Sequence, residues 1–177
     1  MGRKLVLIAV LLLFASAAHA VETLVLMEKG ASLTRYQAVE VLPVSNDTGQ
    51  TFEKKLKFDV AATLTEFIRE QLEEDGYVIS VQPPTTAECL IVRSSLVAYQ
   101  AGSAAGRWVG VGGGITQATV RVTLVDNQTG EMLGEIVAAG QVTVGGLYTV
   151  GANKSILKRL AKGIAKELRS RHQGKGN

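Results

Sequence analysis

The chain has 177 residues, 46% of them hydrophobic, with 19 basic and 16 acidic side chains, which fits one ordinary globular domain. Cys89 is the only cysteine, so no intrachain disulfide is available. The two histidines, His19 and His172, fall in terminal stretches, which excludes Ser-His-Asp and Cys-His nucleophile pairs and the usual zinc ligand sets from the folded part.

Residues 1–20 read as a signal peptide. Arg3 and Lys4 precede the apolar run Leu5 to Phe14, too short to span a bilayer comfortably, and Ala18-His19-Ala20 gives a small-x-small cleavage signal. A mature chain starting at Val21 is expected, secreted and, in a bacterium, periplasmic or associated with the outer membrane. No cysteine stands near the cleavage point, so there is no lipobox. Removing residues 1–20 leaves 17 basic against 16 acidic residues, too even a balance to argue for a nucleic-acid partner. The basic excess is local: residues 154–175 carry eight Lys or Arg against Glu167 alone.

Residues 21–35 read as a lead-in that includes the short apolar piece Thr23 to Met27. Tyr36 to Val44 is a strand candidate, denser in apolar residues than strict alternation and so placed near the sheet centre, with Pro43 marking its end. The loop Ser45 to Gln50 follows from its turn chemistry, and Asn46-Asp47-Thr48 and Asn127-Gln128-Thr129 are read as turns rather than glycosylation sites. Asp59 to Asp75 is predicted as a helix. Val60, Leu64, Phe67, Ile68 and Leu72 share one face, Asp59 is placed to cap, and Gly76 suits a left-handed exit. The acids at its end, Glu70, Glu73, Glu74 and Asp75, are read as a solvated face.

Tyr77 to Val81 and Cys89 to Tyr99 are the next strands, the second apolar on both faces, with Leu90, Val92, Ser94, Leu96 and Ala98 on one side. Glycines 102, 106, 110, 112, 113 and 114 then interrupt the pattern around Arg107 and Trp108. A dinucleotide fingerprint fails here because position 115 is Ile and a strand follows instead of a helix. The segment is read as a bend or bulge, with Trp108 either a plug over the core or an anchor for a partner. Thr116 to Val125 alternates with Ala118, Val120, Val122 and Leu124 inward. Asp126 to Gly130 closes a hairpin, with Asp126 bonding its own turn or pairing with Arg107, and Glu131 to Val144 returns. The last helix is expected over Ser155 to Arg171, capped by Asn153 or Ser155, with Ile156, Leu160, Ile164 and Leu168 as its stripe and Lys158, Arg159, Lys162 and Lys166 away from it.

The expected architecture is an α+β two-layer sandwich: a mostly antiparallel sheet of about five strands with two helices on one face, over residues 36–171, and a polar tail at 172–177. The order of Gly76-Tyr77, Tyr99-x-x-Gly102, Arg107, the run Gly110 to Gly114 and Asp126-x-x-Thr129-Gly130 resembles the bacterial domain-of-unknown-function 4410 family. That resemblance implies a secreted envelope protein of a family with no established activity, many of whose members carry a lipobox that this chain lacks.

No catalytic, cofactor or metal residue is singled out. The expected function is a non-enzymatic envelope module that binds another envelope protein or a second copy of itself. Its candidate surface comprises Arg107, Trp108, Gly110, Gly112, Gly113 and Gly114. Two alternatives stand beside it: peripheral membrane contact through Lys158, Arg159, Lys162 and Lys166, and a hydrolase using Asp126 with Glu131 or Glu135.

Overall fold

The computed structural model describes residues 21–29, 31–52, 56–80, 88–102, 115–142 and 151–174. In chain order the elements are β1 (Val21–Met27), β2 (Ala38–Val41), β3 (Ser45–Asn46), α1 (Val60–Glu74), β4 (Val78–Ser80), β5 (Cys89–Gln100), β6 (Thr116–Asp126), β7 (Met132–Val142) and α2 (Ala152–His172).

The seven strands form one sheet in the order β1-β7-β6-β5-β2-β4, with β3 pairing β5 beside that path. The fold is α+β with two helices, as expected, but the sheet is mixed and larger than five strands. Ser45–Asn46, read as the start of a loop, pairs with β5 as the short strand β3, and two causes account for the rest of the difference. Val21–Met27 pairs along its whole length with β7, in register from Val21↔Gly140 to Met27↔Gly134, and so adds an edge strand from the stretch read as a lead-in. The second cause is α1, which lies between β3 and β4 and carries the chain back so that β4 enters parallel to β2. Parallel pairing needs such a crossover, whereas the tight turn after Asp126 leaves β6 and β7 antiparallel. β2 and β3 also lie parallel to β5.

Helix α1 starts where Asp59, extended at φ −77° and ψ 121°, accepts from the Ala62 N–H at 3.0 Å. It ends at Asp75, and Gly76 turns away at φ +90°, a conformation that favours glycine. Leu64, Ile68 and Leu72 are fully buried on its inner face, while Phe67 is half-buried. Helix α2 starts three residues earlier than its spacing predicted. Gly151 occupies the cap position with no side-chain bond. Asn153 is spent elsewhere, its side-chain oxygen accepting from the Thr116 hydroxyl at 3.1 Å. Ile156, Leu157, Leu160, Ile164 and Leu168 close over β6 and β7, and Gly163 admits Val21 and Thr23 of β1 to within 3.1–3.4 Å of where a Cβ would stand. Arg169 donates to Asp75 at 2.6 Å, joining the two helices, and the His172 ring meets Tyr77 edge-on at 5.4 Å, so His172, read as the start of a polar tail, ends the helix and belongs to the fold.

One register detail in β5 departs from plain alternation. A shift between Leu96 and Ala98 places Ala98 outside and Tyr99 inside, where its ring packs edge-on against Phe52 at 5.0 Å. The bulge exchanges a small residue for a large aromatic one on the core face.

Candidate functional site

Among the described residues Asp126 is the only charged side chain in the buried set. It ends β6, and its two carboxylate oxygens have separate tasks. Oδ1 accepts from the backbone N–H groups of Gln128 and Thr129, each at 2.8 Å, which shapes the turn to β7. Oδ2 accepts from the Tyr36 hydroxyl and from Arg35 Nη2, the latter at 2.5 Å. Arg35 also donates to the Tyr36 hydroxyl at 2.6 Å, lies 4.8 Å from the centre of that ring, and reaches Glu88 at 3.6 Å. The same turn is bound to β5, because Asn127 accepts from the Cys89 N–H at 2.9 Å and returns its own N–H to the Cys89 carbonyl.

These contacts set the electrostatics. The Tyr36 hydroxyl, followed by the turn N–H groups, holds the Asp126 carboxyl well below the usual carboxylate range. Burial, with the neighbouring carboxylate, pushes the Tyr36 phenol up. A carboxylate with four donors and a depressed proton affinity is a poor general base and is never a general acid near neutrality. Glu135 is engaged by Arg121 at 3.4 Å, and its register partner is Thr123, three residues before Asp126 along β6. Glu131 is exposed, meeting Asp126 only through main-chain atoms. The three acids therefore do not converge on a shared site. Arg35 and Tyr36 are the partners that sequence reasoning missed. The only signal for them was an arginine beside a tyrosine at the head of an apolar strand, with nothing to connect it to a turn 90 residues away.

Arg107, Trp108, Gly110, Gly112, Gly113 and Gly114 lie outside the described residues. On α2, Lys158, Lys162 and Lys166 are exposed at four-residue steps and have no hydrogen bond or ion pair among the described residues. Arg159 is half-buried and engaged within the fold, so it leaves that face. The acids at the end of α1 do not form a cluster: Asp75 takes Arg169, Glu74 accepts from Gln71 at 2.6 Å, and no group of three or more potential metal ligands occurs among the described residues. No helix among them is long and apolar enough to cross a membrane.

Among the described residues the exposed large apolar side chains are Leu26, Val78 and Met132. Leu26 is on the edge strand β1, Val78 opens the short opposite edge strand β4, and Met132 begins β7. Val21, Val25 and Met27 pack towards the helices, so alternation puts Leu24 and Leu26 on the face without helices.

A family model described as a domain of unknown function, DUF4410, matches residues 29–146. Two solved structures of PelC dodecamers from Paraburkholderia phytofirmans share the architecture. One, a leucine-to-methionine variant, is 17% identical with a TM-score of 0.54 and covers 85% of this chain and 99% of its own. The other is 14% identical with a TM-score of 0.55, covering 84% and 98%. At such identities the likeness is one of fold. No curated protein matches the chain.

Proposed function

This chain belongs to the DUF4410 family, and from that premise we propose that it is a secreted, non-enzymatic module of the bacterial cell envelope that works by protein contact, chiefly with further copies of itself. The observation that carries the reading is the state of Asp126. The one charged residue buried among the described residues is saturated by Tyr36, Arg35 and its own turn, so its chemistry holds two parts of the fold together and offers nothing to a substrate. Among the described residues the exposed large apolar side chains are Leu26 and Val78, on the two opposite edge strands, and Met132, so each sheet edge offers an apolar side chain that another protein can cover. The dodecameric state of the two PelC structures supports self-association as the mode of contact. The leader-like residues 1–20 support export, with Val21 as the mature N-terminus.

In vivo crosslinking followed by envelope fractionation tests this. A processed chain starting at Val21, recovered outside the cytoplasm as crosslinked multimers, is expected. Full-length protein retained in the cytoplasm, or processed protein that crosslinks to nothing, overturns it.

A second reading rests on α2. Three unpaired lysines on one helix face are each worth about 1 kcal/mol beside an anionic bilayer, and an oligomer multiplies that attraction. Flotation with phosphatidylglycerol vesicles, lost when Lys158, Lys162 and Lys166 are all changed to Gln, is its expected signature. Flotation that survives the triple change removes it.

A further inference from the structure

We propose that two copies of this chain join through β1, edge to edge and antiparallel, about a two-fold axis at Leu24, so that the two sheets become one. This deepens the self-association proposed above and rests on it. The starting observation is which backbone groups β1 leaves over. Glu28 gives its N–H to the Leu133 carbonyl at 2.9 Å, and the register places Met27 opposite Gly134. Hydrogen-bonded and non-bonded pairs alternate along an antiparallel ladder, so the even-numbered residues of β1 direct their backbone at β7. Val21, Thr23, Val25 and Met27 direct theirs outward, away from the sheet.

Native sheets protect such an edge with proline, lysine, a bulge or brevity. β1 has none of these: it is seven residues long, regular in its pairing with β7, and carries one charged side chain, Glu22. The strand that covers it must be extended, equally long and almost uncharged, and β1 itself meets that description. The other edge of the sheet, β4, has three residues and would leave most of β1 open in a head-to-tail arrangement. Pairing β1 with β1 about Leu24 uses the full length of both strands, and every outward residue faces another outward residue: Val21 opposite Met27, Thr23 opposite Val25. On the face without helices, Leu24 meets Leu24 and Glu22 falls opposite Leu26. No like charges are opposed, and the exposed Leu26 gains a neighbour.

The placement of Glu22 opposite Leu26 supplies the test. The full chain, expressed with its own N-terminal segment, is examined by sedimentation equilibrium as wild type, Leu26→Glu and Glu22→Lys/Leu26→Glu. Leu26→Glu sets two acids against each other twice in the pair and is expected to weaken self-association about tenfold; adding Glu22→Lys is expected to restore it. Within one chain residue 22 lies opposite Ala139, so restoration cannot arise inside a single copy; residue 26 lies opposite Glu135, so all three proteins carry Glu135→Gln as a common background, which keeps the new acid from facing another in its own chain. Thr23→Pro removes an outward donor while sparing the ladder to β7, and also gives up the Thr23 hydroxyl's bond to Glu167 at 3.0 Å; it is expected to weaken association beyond Thr23→Val, which loses only that bond, with the fold retained in both, which circular dichroism checks. An oligomer unchanged by Leu26→Glu and by Thr23→Pro overturns the β1 contact and leaves self-association standing. Weakening that Glu22→Lys does not repair overturns the two-fold register. A wild type that stays monomeric while β1 crosslinks to a different envelope protein overturns the second copy as the occupant, and with it the self-association on which the contact rests.

Discussion

Arg35 and Asp126, 91 positions apart in the sequence, meet at 2.5 Å, and their contact fastens the segment before β2 to the turn between β6 and β7. The strands concerned stand on either side of β5, since β6 and β2 are its two neighbours in the sheet. The Tyr36 hydroxyl completes the junction from a fully buried ring. One carboxylate thus fixes both a local turn and a long-range packing, so a change there is expected to act on stability.

Asp126→Ala removes the acceptor for two turn amides, a phenol and a guanidinium. Donors left unsatisfied at a buried position cost about 1–3 kcal/mol, more when charge is involved, so the expected loss is about 3 kcal/mol. For a domain of this size that lowers Tm by roughly 6–12 °C. Tyr36→Phe keeps the ring and gives up one hydrogen bond, for an expected loss of about 1 kcal/mol. Thermal melts followed by circular dichroism compare the two. The expected result is that Asp126→Ala melts below Tyr36→Phe, and Tyr36→Phe below wild type.

The same carboxylate predicts an acid response of definite sign. Its folded pKa is depressed, so it binds its proton more weakly in the folded chain than in the unfolded one. The stability this contributes is fully present above the ordinary carboxylate value of about 4 and is lost as the pH falls through the folded pKa. Asp126→Asn has no such proton to bind. The stability gap between wild type and Asp126→Asn should therefore be constant from pH 7 down to about 5 and narrow progressively below about 4. Urea melts across that range measure it, and a gap that widens in acid would contradict the assignment.

Much of the fold was legible because its signals are local. Asp59 and Gly76 bound α1 as their cap chemistry indicates, and the inward residues of β6, Ala118, Val120, Val122 and Leu124, are buried, joined by Thr119 from the other face. The turn role of Asp126 was legible for the same reason. What escaped depends on distant partners. Val21–Met27 has only seven residues and becomes a strand by pairing with β7 more than a hundred positions later. Asn153 has the chemistry of a helix cap, yet Thr116 claims its side chain. Tyr99 reaches the core only because a bulge reverses the alternation of β5, and no residue type at Leu96 to Ala98 announces one. Arg35 and Tyr36 are likewise invisible as site residues until the sheet brings them to Asp126.

Gly134 predicts how firmly β1 is held. A Cβ built there would stand 2.6 Å from Met27 Sδ and 2.8 Å from the Leu26 carbonyl oxygen. The sulfur ends a flexible side chain and can move; the carbonyl belongs to the ladder and cannot move without shifting the register. Gly134→Ala should destabilise by about 1–3 kcal/mol and raise hydrogen exchange at Leu24 and Leu26, whose amides face β7. Gly140→Ala is the comparison. Its Cβ would meet Ile156 Cδ1 at 2.9 Å and Val21 Cγ2 at 3.0 Å, both side-chain ends, so a smaller loss with little change in exchange along β1 is expected.

Cys89 gives a readout of local opening that needs no substitution. Its side chain is fully buried at the start of β5, and burial pushes the thiol up, away from the reactive thiolate. The main chain at Cys89 is fastened by Asn127 on one side and pairs with Ala38 of β2 on the other, so separation of the turn after Asp126 from β5 is one of the openings that make the thiol reachable. Labelling with a disulfide reagent at neutral pH should be slower than in denaturant by at least about a thousandfold, the factor set by an opening free energy of several kcal/mol. Asp126→Ala loosens that turn directly, so it should speed labelling more than its global loss of stability accounts for, whereas Gly134→Ala, acting at the far edge of the sheet, should speed it only by its global effect. Equal acceleration per kcal/mol in the two variants would show that the turn and the sheet edge open together, against the local role assigned to the Asp126 junction.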